Sequence, residues 1–345
     1  MIYKQTELLN VSELVEVPSR PGVLLQRLPE STKIQLHEQS QIQFKRAACS
    51  EIRFVSDWNS VDITLACYGG TGTALLYYGD FQASRYTISE EPSDLKLKLP
   101  FPDFLAAIDL SSTSSTFLPT VWRLVLHGAE FHLIDIVGDS IRPPLPHEIP
   151  KRKYLAYGTS ITYGESATSP DLSYVKQTAW RLGADVINLG ASGSAHCEPE
   201  LADYIAARTD WDFATFCISI NMFNQEVPVD IFQVRANYMI HTVASANPNK
   251  PVVCIGLLPS FADFGQVWPG RKLCATTNQY REALRHIVEQ AKLPNLYYVD
   301  GRHLLTRHGG LTSDMLHPGN LGMIEIGENL AKVILPLLNE VQVPH

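Results

Sequence analysis

The sequence after residue 150 alternates short apolar segments with segments of helical periodicity, and this rhythm constrains the fold more than any other feature. The apolar segments predict strands near 153–158, 185–190, 213–220, 251–258 and 296–300. The segments between them predict helices near 173–183, 199–208, 229–246, 276–292 and 319–340. Apolar strands that alternate with helices form parallel sheets covered on both faces. We therefore predict an α/β domain with a five-stranded parallel, flavodoxin-like sheet.

The first 145 residues predict a different, all-β domain. The segments Glu51–Val55 and Val61–Leu65 alternate with period two, as half-buried strands do. A glycine-rich turn, Gly69–Gly72, separates two strand-like segments. Short strands at this spacing predict a β-sandwich of the jelly-roll type, and an antiparallel barrel fits the same pattern.

The boundary between the two domains is predicted at a proline-rich connector. Four prolines lie in the nine residues from Arg142 to Pro150, which favours a semi-rigid linker. We therefore assign residues 1–145 to the first domain and residues 150–345 to the second. A chain of 345 residues is long for a single core, which also favours two domains. The first domain is a candidate for substrate recognition.

Charge and composition argue against several classes of partner. The formal net charge is −8 without a run of Lys or Arg, so a nucleic acid is not expected. No apolar stretch is long enough to span a bilayer, so no membrane partner is expected. The chain start shows no secretory signal pattern, and the six cysteines form no Cys-X-X-Cys pair. We expect a reducing, cytoplasmic location without disulfides or a zinc cluster.

A serine, a histidine and an aspartate occupy the loops expected at one edge of the parallel sheet. Ser160 lies in the Gly158-Thr159-Ser160 turn directly after the first strand of this sheet. Asp314 and His317 share the loop that precedes the last predicted helix. Together these residue types predict a nucleophile, a general base and a carboxylate that orients the base. Each motif taken alone is more commonly an ordinary turn or helix start.

Two further segments supply candidate hydrogen-bond donors for an oxyanion. The glycines of Asn188–Ser194, Gly193 among them, permit a backbone N–H to face the site. Asn221 is predicted to end the third strand of the parallel sheet, and its side-chain amide is a second donor. A flexible connection and a helix cap or turn are the structural alternatives for these two segments.

The sequence leaves the role of three other features open. His196 and Glu198 follow Gly193 closely and either line a pocket or lie on the surface. The sequence slightly favours the surface. The loop Pro259–Gly270 contains three aromatic residues, and either shapes a substrate pocket or packs as an Ω-loop. No well-spaced cluster of His, Asp and Glu predicts a metal site.

The second domain resembles the SGNH (GDSL-type) hydrolases over about residues 150 to 342, with every motif in family order. The resemblance implies that Ser160 is the nucleophile and that Asp314 and His317 complete the catalytic triad. It also implies an oxyanion hole formed by Ser160, Gly193 and Asn221. The chain has Gly-Thr-Ser where the family usually has Gly-Asp-Ser, and Ser219–Met222 where the family usually has Gly-X-Asn-Asp.

The whole chain is similar to family members that carry an N-terminal β-sandwich, including carbohydrate esterases. This resemblance implies a serine esterase that hydrolyses short acyl esters, acetyl above all, on a saccharide or glycoside, without a cofactor. A GDSL-type O-acyltransferase and an inactive carbohydrate-binding protein on an esterase scaffold are the alternatives. The oligomeric state is not predicted.

Overall fold

A computed structural model describes residues 1–340 except 57–60, 98–102, 108, 110–114 and 139. Residues 341–345 of the predicted second domain therefore lie outside the described residues. The chain forms two compact units, of which the first comprises Met1–Glu30 and Phe44–Lys151. The second comprises the chain from Arg152 onward together with Ser31–Gln43. The sequence predicted one continuous first domain, so the membership of Ser31–Gln43 in the second unit is a difference from that prediction.

The first unit consists mainly of antiparallel strands. Its described strands are β1 (Ile2–Tyr3), β2 (Thr6–Leu9), β3 (Glu13–Glu16), β4 (Val23–Gln26), β5 (Ala48–Val55), β6 (Val61–Tyr68), β7 (Gly72–Tyr78), β8 (Phe81–Ile88), β9 (Ser93–Leu97), β10 (Val121–His127) and β11 (Glu130–Gly138). They form a sheet in the order β1-β2-β5-β10-β7-β8 and a second sheet in the order β3-β4-β11-β6-β9. Three helices accompany these strands in the chain: α1 (Glu30–Lys33), α2 (Glu38–Lys45) and α3 (Asp103–Ala107).

The two antiparallel sheets share one apolar core, which is the arrangement of a β-sandwich. Phe54 and Trp122 from the first sheet pack in the same buried cluster as Ile63, Leu65 and Phe131 from the second. Alternate residues of β6 are buried along its first half, as the period-two pattern predicted. The predicted β-sandwich is therefore confirmed, and the barrel alternative does not apply.

Strand β5 departs from the predicted half-buried pattern because both of its faces are covered. Glu51 and Arg53 are both buried, at 1% and 0% exposure. The two Glu51 carboxylate oxygens lie 2.8 Å from Arg53 and 2.9 Å from Arg123, and the Arg123 guanidinium stacks on the Phe117 ring. Buried charges of this kind are tolerated only when they are paired, and here they are.

The second unit contains the parallel sheet. Its strands are β12 (Arg152–Gly158), β13 (Ala184–Gly190), β14 (Phe213–Cys217), β15 (Val252–Ile255) and β16 (Leu296–Val299). The order β13-β12-β14-β15-β16 is that of flavodoxin-like folds, so the predicted sheet is confirmed. The helices of this part of the chain are α4 (Ser160–Tyr163), α5 (Tyr174–Leu182), α6 (Pro199–Ala207), α7 (Ser219–Asn224), α8 (Val229–Ala246), α9 (Thr277–Ala291), α10 (Gly301–Leu304) and α11 (Asn320–Glu340).

Two groups of helices cover this sheet. Helix α5 packs against α11, whereas α8 packs against both α6 and α9. Strand β12 lies between β13 and β14, and all three run in the same direction. The loops that follow them therefore leave the sheet at one edge, where open α/β sheets place their sites.

Candidate active site

Ser160 lies at the point where β12 turns into the short helix α4. The Thr159 hydroxyl caps this helix by accepting the Ile161 N–H at 3.3 Å. The turn is too tight for a side chain at Gly158, because a Cβ there would lie 2.2 Å from Thr162 Oγ1. Ser160 is only 7% exposed, and as the first residue of α4 its N–H has no intrahelical acceptor.

The structure brings Ser160, His317 and Asp314 together in one hydrogen-bonded line. Ser160 Oγ lies 2.9 Å from His317 Nε2. His317 Nδ1 lies 2.7 Å from Asp314 Oδ2. A proton on Nδ1 satisfies both contacts, since Nδ1–H then donates to the carboxylate and Nε2 accepts from the serine hydroxyl. This is the arrangement that activates a hydroxyl as a nucleophile.

The Asp314 carboxylate is held by its own loop as well as by the imidazole. Its Oδ1 accepts hydrogen bonds from the Leu316 N–H at 2.8 Å, the His317 N–H at 2.9 Å and the Thr312 hydroxyl at 2.7 Å. Partial burial alone raises the pKa of Asp314, but these hydrogen bonds and that from the His317 side chain outweigh it and lower this pKa to about 2. The carboxylate is therefore ionised at neutral pH.

Asn221 lies on helix α7, whereas the sequence placed it at the end of a strand. Strand β14 ends at Cys217, and the apolar segment that follows forms a buried helix. Asn221 Oδ1 accepts the Ala195 N–H at 3.1 Å. The acceptor end of the amide is thus occupied, and its Nδ2 group has no acceptor among the described residues.

Gly193 lies in the loop after β13, in a conformation that favours glycine. Its φ is +68°, in the left-handed region. The Gly193 carbonyl accepts a hydrogen bond from Gln225 Nε2 at 2.8 Å. No residue in the described part of the chain accepts a hydrogen bond from the Gly193 N–H, so this donor is available.

Comparison with known proteins assigns the family. Residues 151–335, more than half of the chain, match the GDSL-like lipase/acylhydrolase family. The chain belongs to this family. The family recognition made from the sequence is therefore confirmed, and so is the enzyme class, a GDSL-type serine ester hydrolase. No curated protein matches the chain in a sequence comparison.

Solved structures with the same fold cover both parts of this GDSL-like acylhydrolase. The salicylyl-acyltransferase SsfX3 from a tetracycline biosynthetic pathway has a TM-score of 0.79 at 15% identity, over 97% of this chain and 95% of its own. A candidate GDSL-like lipase from Bacteroides ovatus has a TM-score of 0.71 at 19% identity, over 97% of this chain and 96% of its own. A family two carbohydrate esterase from Clostridium thermocellum, solved with cellohexaose, has a TM-score of 0.59 at 17% identity, over 85% of this chain and 94% of its own.

Asn188 joins the first two loops of the GDSL-like domain, a contribution that the sequence did not single out. Its Nδ2 donates to the Thr162 carbonyl at 2.9 Å, and its Oδ1 accepts the Gly190 N–H at 2.8 Å. A Cβ at Gly190 would lie 2.2 Å from the Tyr163 nitrogen, so the two loops pack at backbone distance. A polar residue inside an otherwise apolar strand was the available signal.

His196 and Glu198 are partly buried rather than placed on the surface. The His196 ring lies 4.6 Å, centroid to centroid, from that of His37 in segment 31–43. Glu198 is 13% exposed, and its Oε1 lies 3.4 Å from His37 Nε2. Burial, together with the neighbouring His37, lowers the pKa of His196 to about 4. No local pattern in segment 31–43 pointed to these contacts.

A small apolar cleft lies beside the residues of the site. It encloses about 270 Å³, part of it open to solvent. Three of its lining residues, Ile161, Ile220 and Leu316, are direct sequence neighbours of site residues. The lining includes Ile161, Ser219, Ile220, Ile255, Leu258 and Leu316.

The aromatic loop after β15 is attached at both ends to segments that carry site residues. The Phe261 N–H donates to the Met315 carbonyl at 2.6 Å, next to the His317 loop. The Lys272 N–H donates to Glu226 Oε1 at 2.5 Å, just after helix α7. Phe264 and Trp268 between these attachments are exposed, so a role in forming a pocket stays a prediction.

Among the described residues, no group of three or more His, Cys, Asp or Glu side chains is arranged to hold a metal ion. No helix within the described ranges combines the length and apolar character needed to cross a membrane.

Proposed function

We propose that this protein is a serine esterase that forms an acyl-enzyme on Ser160. The observation that carries the proposal is the continuous hydrogen-bonded line from Ser160 through His317 to Asp314. A serine hydroxyl is a weak nucleophile until a base removes its proton. The line supplies that base and a carboxylate that is ionised at neutral pH.

The chemistry follows from the positions of these groups. Ser160 Oγ attacks the ester carbonyl carbon while its proton passes to His317 Nε2, and Asp314 stabilises the imidazolium. The imidazolium then gives that proton to the departing alcohol as the ester C–O bond breaks. In the second half, His317 takes a proton from water as the water oxygen attacks the acyl carbon. The imidazolium then gives this proton to Ser160 Oγ as the bond between Oγ and the acyl carbon breaks, which releases a carboxylic acid and restores the serine hydroxyl.

Three donors support the negative charge that develops on the carbonyl oxygen. We assign this role to the N–H groups of Ser160 and Gly193 and to Nδ2 of Asn221. Each lacks an acceptor that competes for it, either by helix position or among the described residues. Donors aimed in advance at a developing oxyanion are among the largest contributions to acyl-transfer catalysis.

The substrate we propose is a short acyl ester, acetyl first, on a saccharide or glycoside. The cleft beside the triad is lined largely by aliphatic side chains, among them Ile161, Ile220 and Leu316. Its apolar lining suits a methyl or short alkyl group rather than a long fatty chain. The saccharide part is supported by the fold shared with the carbohydrate esterase. The cytoplasmic location predicted from the cysteines is part of this proposal.

The test combines turnover with active-site labelling. The wild-type protein should hydrolyse p-nitrophenyl acetate and form a single adduct with a serine-directed phosphonate on the peptide that contains Ser160. Ser160→Ala should lose both the adduct and most of the activity, whereas Ser192→Ala, a nearby serine whose hydroxyl donates to Glu165, should retain both. An adduct on another serine, or neither turnover nor adduct in the wild type, would refute the proposal and favour a binding protein.

An acyltransferase is the second candidate, because the acyltransferase SsfX3 has the highest TM-score of the three structures compared. The same acyl-enzyme would then pass its acyl group to an alcohol instead of water. Product analysis with and without an added alcohol separates the two, since transfer yields a new ester at the expense of free acid. A preference for p-nitrophenyl esters of long acyl chains would instead indicate a lipase.

A further inference from the structure

Ser40 makes a buried contact with the loop that carries Gly193, although the two lie far apart in the chain. Ser40 is 0% exposed and belongs to segment 31–43, which is part of the second unit. Its hydroxyl lies 3.1 Å from the Ser194 carbonyl oxygen and 2.8 Å from Glu198 Oε1. The Ser194 carbonyl is thereby held in place by a side chain that is 154 residues away.

The other end of the same peptide unit holds Asn221. The unit that begins with the Ser194 carbonyl ends with the Ala195 N–H, which donates to Asn221 Oδ1 at 3.1 Å. A peptide unit is planar, with C=O and N–H pointing in opposite directions. A contact that fixes the direction of the carbonyl therefore also fixes the direction of the N–H.

We propose that Ser40 is a positioning residue that orients the side-chain amide of Asn221 through the Ser194–Ala195 peptide unit. The proposal rests on the oxyanion role assigned to Asn221 above. Ser40 does not touch the substrate. Its effect is to keep Nδ2 of Asn221, rather than Oδ1, directed toward the developing charge.

The amide of Asn221 needs such a constraint because its two ends are nearly equal in size. Rotation by 180° would exchange the donor Nδ2 with the acceptor Oδ1. The Ala195 N–H prevents this exchange, because after rotation it would face the N–H₂ group of Asn221 and no acceptor. If the peptide unit turned, the preference for one orientation would be lost.

His37 and Glu198 hold Ser40 in turn. The Ser40 N–H donates to His37 Nδ1 at 3.3 Å, which leaves the ring proton on Nε2. That nitrogen lies 3.2 Å from Ser40 Oγ and 3.4 Å from Glu198 Oε1. With the ring proton there, His37 Nε2–H faces Ser40 Oγ, and the single Ser40 hydroxyl proton faces both the Ser194 carbonyl and Glu198 Oε1. These contacts restrict the rotation of the Ser40 side chain.

The experiment is a double-mutant cycle between Ser40 and Asn221 in the full chain. Ser40→Ala should lower kcat about tenfold with KM little changed, the size expected from the loss of one buried hydrogen bond. In the Asn221→Ala background, Ser40→Ala should have no further effect on kcat, because no amide remains to be oriented. Ser31→Ala, an exposed serine of the same segment, should match the wild type. If Ser40→Ala does not fold, Ser40→Cys, which keeps a weak donor at similar size, takes its place in the cycle.

Each alternative outcome has a definite meaning. A wild-type kcat in the Ser40 variant, or an equal fold-loss in both backgrounds, would overturn the proposal, since a merely structural role acts independently of Asn221. A wild-type kcat in Asn221→Ala would overturn it as well. Ser160→Ala is measured in parallel, and activity retained there would instead refute the esterase mechanism.

Discussion

At the scale of single residues, backbone N–H groups contribute directly to the orientation of Asp314 and Asn221. Two backbone N–H groups bind one oxygen of Asp314 and leave the other for His317. One backbone N–H binds Oδ1 of Asn221 and leaves Nδ2. Backbone donors move little once the loop is folded, so both side chains enter the reaction already oriented.

The low pKa of Asp314 predicts how its removal affects stability at different pH values. Its pKa in the folded protein, about 2, lies below the ordinary value of 3.8. A lowered pKa contributes stability that is present above the unfolded value and is lost as the pH falls toward the folded one. The destabilisation caused by Asp314→Asn, measured by urea unfolding, should therefore be largest near neutral pH and shrink below about pH 4.

A difference between wild type and Asp314→Asn that stays constant from neutral pH to about pH 3 would contradict the lowered pKa. The activity of the same variant provides an independent measure of how far the carboxylate orients His317.

At the scale of secondary-structure elements, the site depends on how closely the first two loops approach each other and the sheet. Gly158 and Gly190 end adjacent strands, and neither has room for a Cβ beside helix α4. The Ala191 N–H donates to the Gly158 carbonyl at 2.8 Å across this junction. The position of Ser160 therefore depends on two glycines that let the backbones of these loops approach closely.

Gly158→Ala tests this close packing. The new methyl group would meet Thr162 Oγ1 at 2.2 Å and the Cys217 carbonyl at 2.6 Å, so the turn must move. We expect a loss of about 1–3 kcal/mol in the free energy of unfolding, as is typical of overpacking, together with a fall in kcat. Gly309→Ala, where nothing lies within 4 Å of the new atom, is the matched control. Thermal unfolding and kcat at the wild-type level in Gly158→Ala would show that the turn tolerates the shift.

The elements of the parallel sheet were predictable because their signals are local. Continuous apolar runs separated by amphipathic helices specify β12 to β16 without knowledge of any long-range contact. Helix α7 was missed because Ile220, Met222 and Phe223 continue the apolar run of β14. A short buried helix and a buried strand cannot be separated by periodicity when both are apolar. The pattern of β5 was misread for a different reason. Its charged residues predicted an exposed face, but they are buried because they pair with residues of other strands.

At the scale of the whole molecule, chain order and compact units do not coincide. Segment 31–43 belongs to the second unit, while the residues on both sides of it belong to the first. The residues Ser160, Asp314 and His317 were identifiable from sequence motifs, but Ser40 was not. One hydroxyl that contacts a carbonyl across 154 residues leaves no periodic or compositional trace in the sequence.

A chain that begins at Pro150 tests the consequence for activity. It retains Ser160, Asp314 and His317 but lacks Ser40 and the rest of segment 31–43. If it folds, its kcat on p-nitrophenyl acetate should fall at least as far as that of Ser40→Ala in the full chain. We also expect weaker selectivity among bulky esters, in line with the proposed recognition role of residues 1–145. If the shortened protein has the same kcat as the full chain, the first expectation is wrong. If its selectivity among bulky esters is unchanged, the second expectation is wrong.

The interrupted first unit also has a consequence for biosynthesis. Ser40 is synthesised 154 residues before Ser194. At a translation rate of about 5–20 residues per second, this is a delay of roughly 8–30 s. During that interval the remaining strands of the first unit are synthesised, while the Ser194 carbonyl that Ser40 contacts does not yet exist. Strands β2 and β5, one before and one after the segment, can therefore pair before the contact between Ser40 and Ser194 can form. The full set of contacts that buries Ser40 can form only after the chain has been synthesised past Ser194.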